Sequence, residues 1–522
     1  MSRRMLINLK NVSIRILDRM LFENLSLTVH AGELLALVGA NGCGKSTILQ
    51  LITSAEAERP AFPEEADVRV TGEVFLDPHS RIMLLPQAIK PGREPLNDPI
   101  EPAGPEYAAL EARLRGEFQL SGDSTALDTL SDGELQKLAI IKMLLSDADI
   151  LLFDEPTNYL DIAGITAFES HLDRLKRAGK AIIVVTHDRA LTDNLADHTV
   201  LVTPHGIYHA AGGSTLAWSV RGEQMQARRH QAREIGKKIR QLQEDTRAKA
   251  GWAAQKERQK KGAGMDKPHI GRLSKKMAKR AKAVQRRVDR HLDKLKGIKP
   301  FVPKELSLRF PDREIRHREV FALNDVCFSY TEQPEDSPGK EPYLLEDVTL
   351  SATTRDKICL MGANGSGKTT VFRLIQGHVA PLAGSRRFNS GVKTAYVPQG
   401  LAGFFPAKRL LDNFGDCGCD ETTIRQHLGA ALIRRDKVHR PTSSFSYGEL
   451  MRAAVVKCLL SQGEFLFLDE PTTHLDIESI EVLEKILDGF AGGFLIISHD
   501  RRFIENVADR LYVLDGGRPR LL

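Results

Sequence analysis

Two eight-residue stretches, GANGCGKS at 39–46 and GANGSGKT at 362–369, have the residue types to hold a chain of phosphates. Each follows an apolar, strand-like run and precedes a helical pattern, the context a phosphate loop requires. The glycines Gly39, Gly42 and Gly44, and Gly362, Gly365 and Gly367, let backbone N–H groups turn inward, and the helix that follows adds the positive end of its dipole. Lys45 and Lys368 are placed to pair β- and γ-phosphates, and Ser46 and Thr369 to ligate Mg²⁺. Asn41, Thr47, Asn364 and Thr370 complete the two candidate nucleotide loops. Cys43 sits inside the first loop, where any small side chain serves, and Ser366 occupies the same place in the second.

Asp154 and Asp469 end apolar runs, where a carboxylate can hold Mg²⁺ through water. The adjacent Glu155 and Glu470 can polarise an attacking water. An acidic pair there could also be a turn or a helix cap. The distance back to the phosphate loops, and the histidines His187 and His499 that follow further apolar runs, favour catalysis, with each histidine bonding a γ-phosphate and orienting the water. Ser131 with Glu134, and Ser446 with Glu449, form the S-x-x-E pattern of a helix capping box. Capping explains neither Gly133 and Gly448 in the third position nor the 22 or 23 residues that separate each box from the Asp ending the next apolar run.

These residues come in two matching sets. LLALVGANGCGKST at 34–47 returns as KICLMGANGSGKTT at 357–370, and the box, the Asp-Glu pair and the His return in the same order, at offsets of 323, 315, 315 and 312 residues. Short continuous apolar runs such as ILLF at 150–153 and AIIVV at 181–185 alternate with helix-length patterns, which predicts an α/β class with a parallel sheet covered on both faces. The reading gives two such domains, 1–218 and 319–522, joined by a helical linker at 219–318. In the linker, Ile235, Ile239 and Leu242, then Val284, Val288, Leu292 and Leu295, fall at helical spacing. KKGAGMDKPH at 260–269 breaks the pattern, so a helical hairpin is expected, rising along roughly 219–258 and returning along roughly 272–297. A chain of 522 residues has room for several such units.

Phosphate loop, glutamine, LSGGQ-like signature, strand-ending Asp-Glu and His in this order resemble the nucleotide-binding domain of the ABC ATPase superfamily. The resemblance spans both flanking domains. It implies two P-loop ABC-type domains that bind ATP and Mg²⁺ and pair head to tail within one monomer. ATP on Lys45, Glu155 and His187 would be closed by Ser446 and Gly448 of the other half, and ATP on Lys368, Glu470 and His499 by Ser131 and Gly133. Gln87 and Gln399 match the family's phosphate- and metal-sensing glutamines, and Asp161 and Asp476 its D-loop aspartates. Tyr330 matches the aromatic that stacks adenine; Ile16 stands at the aligned position of the first half. Both sites are expected to hydrolyse ATP.

Charge separates the linker from the domains. Residues 221–300 carry 26 Lys plus Arg against 8 Asp plus Glu, although the whole chain is only +6. Such a block suits a polyanion, nucleic acid or membrane surface, or else a solvated helical spacer. The six cysteines, Cys417-x-Cys419 included, are read as structural, and no apolar run is long enough to span a membrane. Tandem ATPase domains around a basic helical hairpin resemble the ABC-F proteins, soluble ATPases of the ribosome. This resemblance implies a cytoplasmic protein whose ATP-closed form enters the ribosomal E site. The hairpin would contact P-site tRNA and 23S rRNA, and hydrolysis would release the protein. Lys275, Lys276, Lys279, Arg280, Lys282, Arg286 and Arg287 are the candidate RNA contacts on the returning arm, with Lys260, Lys261, Lys267 and His269 nearest the tip. Neither half has room for an extra arm, since 44 residues separate Gln87 from Ser131 and 47 separate Gln399 from Ser446, a pattern compatible with members that protect ribosomes from antibiotics. A tandem transporter subunit would share every ATP motif without needing the basic hairpin. A DNA-repair ATPase would carry its insertion inside one domain. A recycling-type protein would bring an N-terminal cysteine cluster, and the first cysteine here is Cys43.

Overall fold

The computed structural model describes residues 3–17, 19–56, 68–87, 89, 105–120, 130–203, 206–260, 315–330, 343–433 and 435–522, with backbone alone at 19, 105–107, 245–260, 435 and 436. The chain forms two compact units, one of Met1–Ala217 with Leu306–Leu522 and one of Trp218–Glu305.

In the first half of the larger unit, β1 (Met5–Ile16), β2 (Arg19–His30) and β4 (Val68–Leu76) make an antiparallel sheet in the order β2-β1-β4. A six-stranded sheet runs β5-β6-β7-β3-β8-β9, built from β3 (Leu34–Gly39), β5 (Ile82–Leu85), β6 (Ile150–Asp154), β7 (Ala181–Val185), β8 (His198–Thr203) and β9 (Gly206–Ala210). Its strands are parallel except for β9. Helices α1 (Lys45–Glu56), α2 (Pro105–Glu117), α3 (Asp132–Leu145), α4 (Ile162–Arg177) and α5 (Arg189–Leu195) complete this half.

The continuous apolar runs are explained by burial on both faces. Ile150 and Leu152 pack with β1, β2 and α1, whereas Leu151 and Phe153 pack with α3 and α4. All four are fully buried, and each such side chain contributes about 1.5–3 kcal/mol.

The second half repeats this plan. Strands β10 (Glu319–Phe328), β11 (Leu345–Thr353) and β13 (Ala383–Phe388) form the antiparallel sheet. Strands β12 (Lys357–Gly362), β14 (Thr394–Val397), β15 (Phe465–Asp469), β16 (Gly493–Ile497), β17 (Arg510–Asp515) and β18 (Arg518–Leu521) form the larger sheet, in the order β14-β15-β16-β12-β17-β18.

Because β6, β7 and β3 are parallel neighbours, everything at their carboxyl ends converges: Asp154 ends β6, His187 follows β7 and the phosphate loop follows β3. The same holds for β15, β16 and β12 in the second half.

The described part of the smaller unit belongs to α6 (Ser214–Lys260), a single helix of 47 residues that spans about 70 Å. Ile235 is buried, and Ile239 and Leu242 are half-buried, on a helix that carries 12 Lys plus Arg against 5 Asp plus Glu. Val284, Val288, Leu292 and Leu295, and the RNA candidates Lys261, Lys267, His269, Lys275, Lys276, Lys279, Arg280, Lys282, Arg286 and Arg287, lie outside the described residues. Lys260 closes α6. No helix among the described residues is long and apolar enough to cross a membrane.

Candidate nucleotide sites

Each phosphate loop starts on a glycine that no other residue could replace. Gly39 has φ +150° and a Cβ there would sit 2.0 Å from the Val202 carbonyl; Gly362, at φ +156°, would place one 2.7 Å from that of Leu514. The loops then turn into α1 and into α7 (Lys368–Gln376). The Lys45 ammonium is buried and donates to the carbonyls of Gly39 at 2.8 Å and Ala40 at 3.2 Å. Lys368 does the same to Gly362 at 2.7 Å and Ala363 at 2.8 Å, and burial lowers its pKa.

Burial raises the Asp154 and Asp469 carboxyls, against hydrogen bonds from Ser46 and Thr369 respectively. In each site one loop hydroxyl therefore meets one strand-end carboxylate, a pair of oxygen donors that fits Mg²⁺ shared with phosphates. Among the described residues no cluster of three or more His, Cys, Asp or Glu could hold a metal by itself. All six cysteines are free.

Glu155 and Glu470 adopt left-handed backbone at φ 51° and 49°, which costs about 1–3 kcal/mol for a non-glycine residue. Their N–H groups donate to Val185 and Ile497 of the neighbouring strands at 2.8 and 2.9 Å. The turn aims each carboxyl at a histidine: Glu155 Oε1 lies 3.1 Å from His187 Nε2, and Glu470 Oε1 lies 3.1 Å from His499 Nε2. Burial lifts Glu155 to about 8 and Glu470 to about 7, and it drives His187 down to about 3 and His499 to about 4. In the first site burial thus disfavours the charged form of both partners, Glu155 and His187. Glu155 Oε2 and both histidine Nδ1 atoms are buried without a hydrogen-bond partner among the described residues.

The two halves meet across these loops. The Asn41 N–H donates to Asp476 Oδ2 at 3.1 Å, and the Asn364 N–H to Asp161 Oδ2 at 3.3 Å. Each aspartate also caps a helix with its other oxygen. Asp161 Oδ1 accepts from Gly164 at the start of α4, and Asp476 Oδ1 accepts from Ser479, both at 2.9 Å.

A cavity of about 740 Å³ brings Lys368, Thr369, Thr370, Asn364, Gly365 and Gly367 together with Ser131, Gly133 and Glu134 of the opposite half. Tyr330, Gln399, Asp469, Glu470 and His499 also line it. Tyr330 is 57% exposed, its hydroxyl sits 3.2 Å from Thr370 Oγ1 and its ring meets Phe328 edge-on at 4.9 Å. Gln87 is exposed beyond β5 and does not line that cavity.

Both capping boxes are formed. Ser131 caps α3 and Ser446 caps α9 (Tyr447–Leu460), which follows α8 (Glu421–Ala430). The Glu134 and Glu449 carboxylates accept from the backbone N–H of their cap serines at 2.9 and 3.2 Å. A Cβ on Gly448 would come within 3.0 Å of the Leu475 side chain, a tight contact, whereas on Gly133 it would meet only ordinary contact with Tyr159.

Motif reading overlooked the residues beside the histidines. Arg189 reaches Glu484 of α10 (Ile477–Asp488) at 2.5 Å and Asp500 at 3.9 Å. Arg501, which opens α11 (Arg501–Val507), pairs in the same way with Glu169 of α4 and lies 3.7 Å from Asp188. The repeated His-Asp-Arg in VVTHDR and IISHDR was the available signal.

The ABC transporter family matches residues 22–158 and 345–473, just over half of the chain. The ATP-binding protein Uup of Haemophilus influenzae is 28% identical over 98% of this chain and 79% of its own. Human ATP-binding cassette sub-family F member 3 is 28% identical over 98% of this chain and 71% of its own. Among solved structures, the archaeal ribosome recycling factor aABCE1, crystallised with the ribosomal stalk protein aP1, superposes with a TM-score of 0.59 at 19% identity, covering 96% of this chain and 88% of that one.

Proposed function

We propose that this chain, which belongs to the ABC transporter family and is an ATP hydrolase, converts its ATP cycle into reversible binding of the ribosome. In this reading the domains are 1–218 and 319–522, with 219–318 as the hairpin between them. Lys45 and Lys368 exchange their loop carbonyls for the β- and γ-phosphates. Ser131 and Gly133 close on the second nucleotide, and Ser446 and Gly448 on the first. Ser46, Gln87 and Asp154 would hold one Mg²⁺ and Thr369, Gln399 and Asp469 the other, and bound metal would neutralise phosphate charge. Glu155 and Glu470 take a proton from the attacking water, while His187 and His499 orient it at the γ-phosphate.

The observation that carries the ribosomal reading is α6, a long, basic helix in a chain with two phosphate loops. The sub-family F relative and the ribosome recycling factor of like fold agree with it. Closed on ATP in the cytoplasm, the monomer occupies the E site. Lys260, Lys261 and Lys267 near the tip, and Lys275 to Arg287 on the returning arm, meet P-site tRNA and 23S rRNA, and hydrolysis releases it. No stable membrane partner is required. Protection of ribosomes from antibiotics follows if the tip reaches the peptidyl-transferase centre; unchanged inhibitory concentrations for several drugs of that site, in a sensitive host, would exclude it.

Co-sedimentation with 70S ribosomes in ATP tests the central claim. The Glu155→Gln, Glu470→Gln variant should pellet with ribosomes and the parent should not. Absence of both from the pellet at low and physiological salt sinks the ribosomal reading and turns attention to DNA or a membrane complex.

The carboxyl pKa values add a pH expectation. A general base acts as the carboxylate, so turnover should climb between about pH 6 and 9. Glu155→Gln, which keeps Glu470 as the remaining base, should move the midpoint down towards about 7. A flat profile across this window would contradict that assignment.

A further inference from the structure

The second half carries a connection between the two nucleotide loops that has no counterpart among the described residues of the first half. Tyr447 stands between Ser446 and Gly448 at the first turn of α9. Its hydroxyl donates to the carbonyl of Gln399, the glutamine that lines the second site's cavity. Its ring meets His474 edge-on, with centroids 5.9 Å apart at 87°. His474 is held at φ 61°, and its carbonyl accepts from the Asn41 side chain of the first phosphate loop at 3.2 Å. Three contacts thus lead from the glutamine of the second site to the loop of the first. The first half has Asp132 and Tyr159 at the corresponding positions. Asp132 is exposed, and among the described residues it makes no hydrogen bond to Gln87, nor does the Asn364 side chain bond the Tyr159 carbonyl.

We propose that Tyr447 is a positioning residue that couples ATP binding at the second site to ATP affinity at the first. The proposal rests on the head-to-tail reading above, in which Ser446 and Gly448 close the first site. Gln399 contacts the nucleotide of the second site through its side chain and Tyr447 through its carbonyl. Any rotation of that peptide on nucleotide binding is passed to the start of α9 and to His474. Coupling of binding is reciprocal, so the first nucleotide strengthens the second by the same factor. Among the described residues the link runs through the Ser446 signature and not through that of Ser131.

The test uses the full chain with Glu155→Gln and Glu470→Gln to stop turnover, titrated calorimetrically with Mg²⁺ and ATP. Adding Lys368→Ala should reduce two binding equivalents to one; if it does not, the assignment of the sites fails, whatever Tyr447 does. With Tyr447 present, emptying the second site in this way should weaken ATP at the first about five-fold, within the usual range of site coupling. With Tyr447→Phe, which keeps the ring and removes the hydroxyl, the factor should fall below about two-fold. Asp132→Ala should leave it unchanged. An equal factor with and without the Tyr447 hydroxyl overturns the proposal. Should Tyr447→Phe not fold, His474→Gly decides the question: glycine suits the left-handed backbone, and coupling should again be lost.

Discussion

Replacing both Glu155 and Glu470 by Gln should lower ATP turnover by about 10²- to 10⁴-fold while leaving ATP bound, the usual contribution of a positioned general base. Gln fills the same volume, so the left-handed turn and the contact with each histidine persist; only the capacity to take a proton goes. The two single variants divide the rate between the sites. The sites are not equivalent, because Tyr330 offers an exposed ring in the second while Ile16 stands at the aligned position in the first. If the second site dominates, Glu470→Gln removes most of the turnover and Glu155→Gln little. Steady-state phosphate release checks this, and a double variant within ten-fold of the parent would show that neither glutamate is the base.

The second large effect concerns the joint between the halves. Arg189 and Glu484 are only 10% and 15% exposed, so Arg189→Ala strands Glu484 in a largely dry interface and removes a positive charge near Asp500, which keeps its helix-capping bond from Phe503. Breaking a buried pair from one side costs about 3–5 kcal/mol. Burial already raises Asp500 to about 6, a sign of how poorly that site tolerates uncompensated negative charge. Glu484→Gln added to Arg189→Ala should recover part of the loss, because the stranded charge is then removed. The mirror pair of Arg501 with Glu169 is more exposed on its arginine side, at 24%, and screening makes its loss smaller. Urea unfolding of the four variants gives the cycle. Additive effects would mean that the two side chains do not act as a pair.

Much of this architecture is legible in the sequence because its chemistry is local. A phosphate loop needs its glycines at fixed spacing, a buried parallel strand needs an unbroken apolar run, and a capping box needs Ser and Glu three apart, so Gly39, the run at 150–153 and Ser131 could each be read where they stand. Contacts set by tertiary approach have no such signature. Arg189 meets Glu484 across 295 residues, and nothing near either announces the other. Tyr447 looks like an incidental change in a signature until the chain brings Gln399, 48 residues earlier, against its hydroxyl. The basic linker is intermediate: its charge and first helix are evident from composition and periodicity, whereas its RNA contacts depend on a partner that no linear pattern specifies.

The divided carboxylates of Asp161 and Asp476 bear on how the molecule can be taken apart. Each holds the first turn of a helix in its own half with one oxygen and a backbone amide of the opposite loop with the other. Neither half is therefore a transferable module. A hybrid that keeps one half and borrows the other from a relative inherits a helix cap whose second oxygen was set for a different loop. Grafting is better attempted with a D-loop and its opposing phosphate loop exchanged together, so that the unit of engineering is the composite site and not the domain.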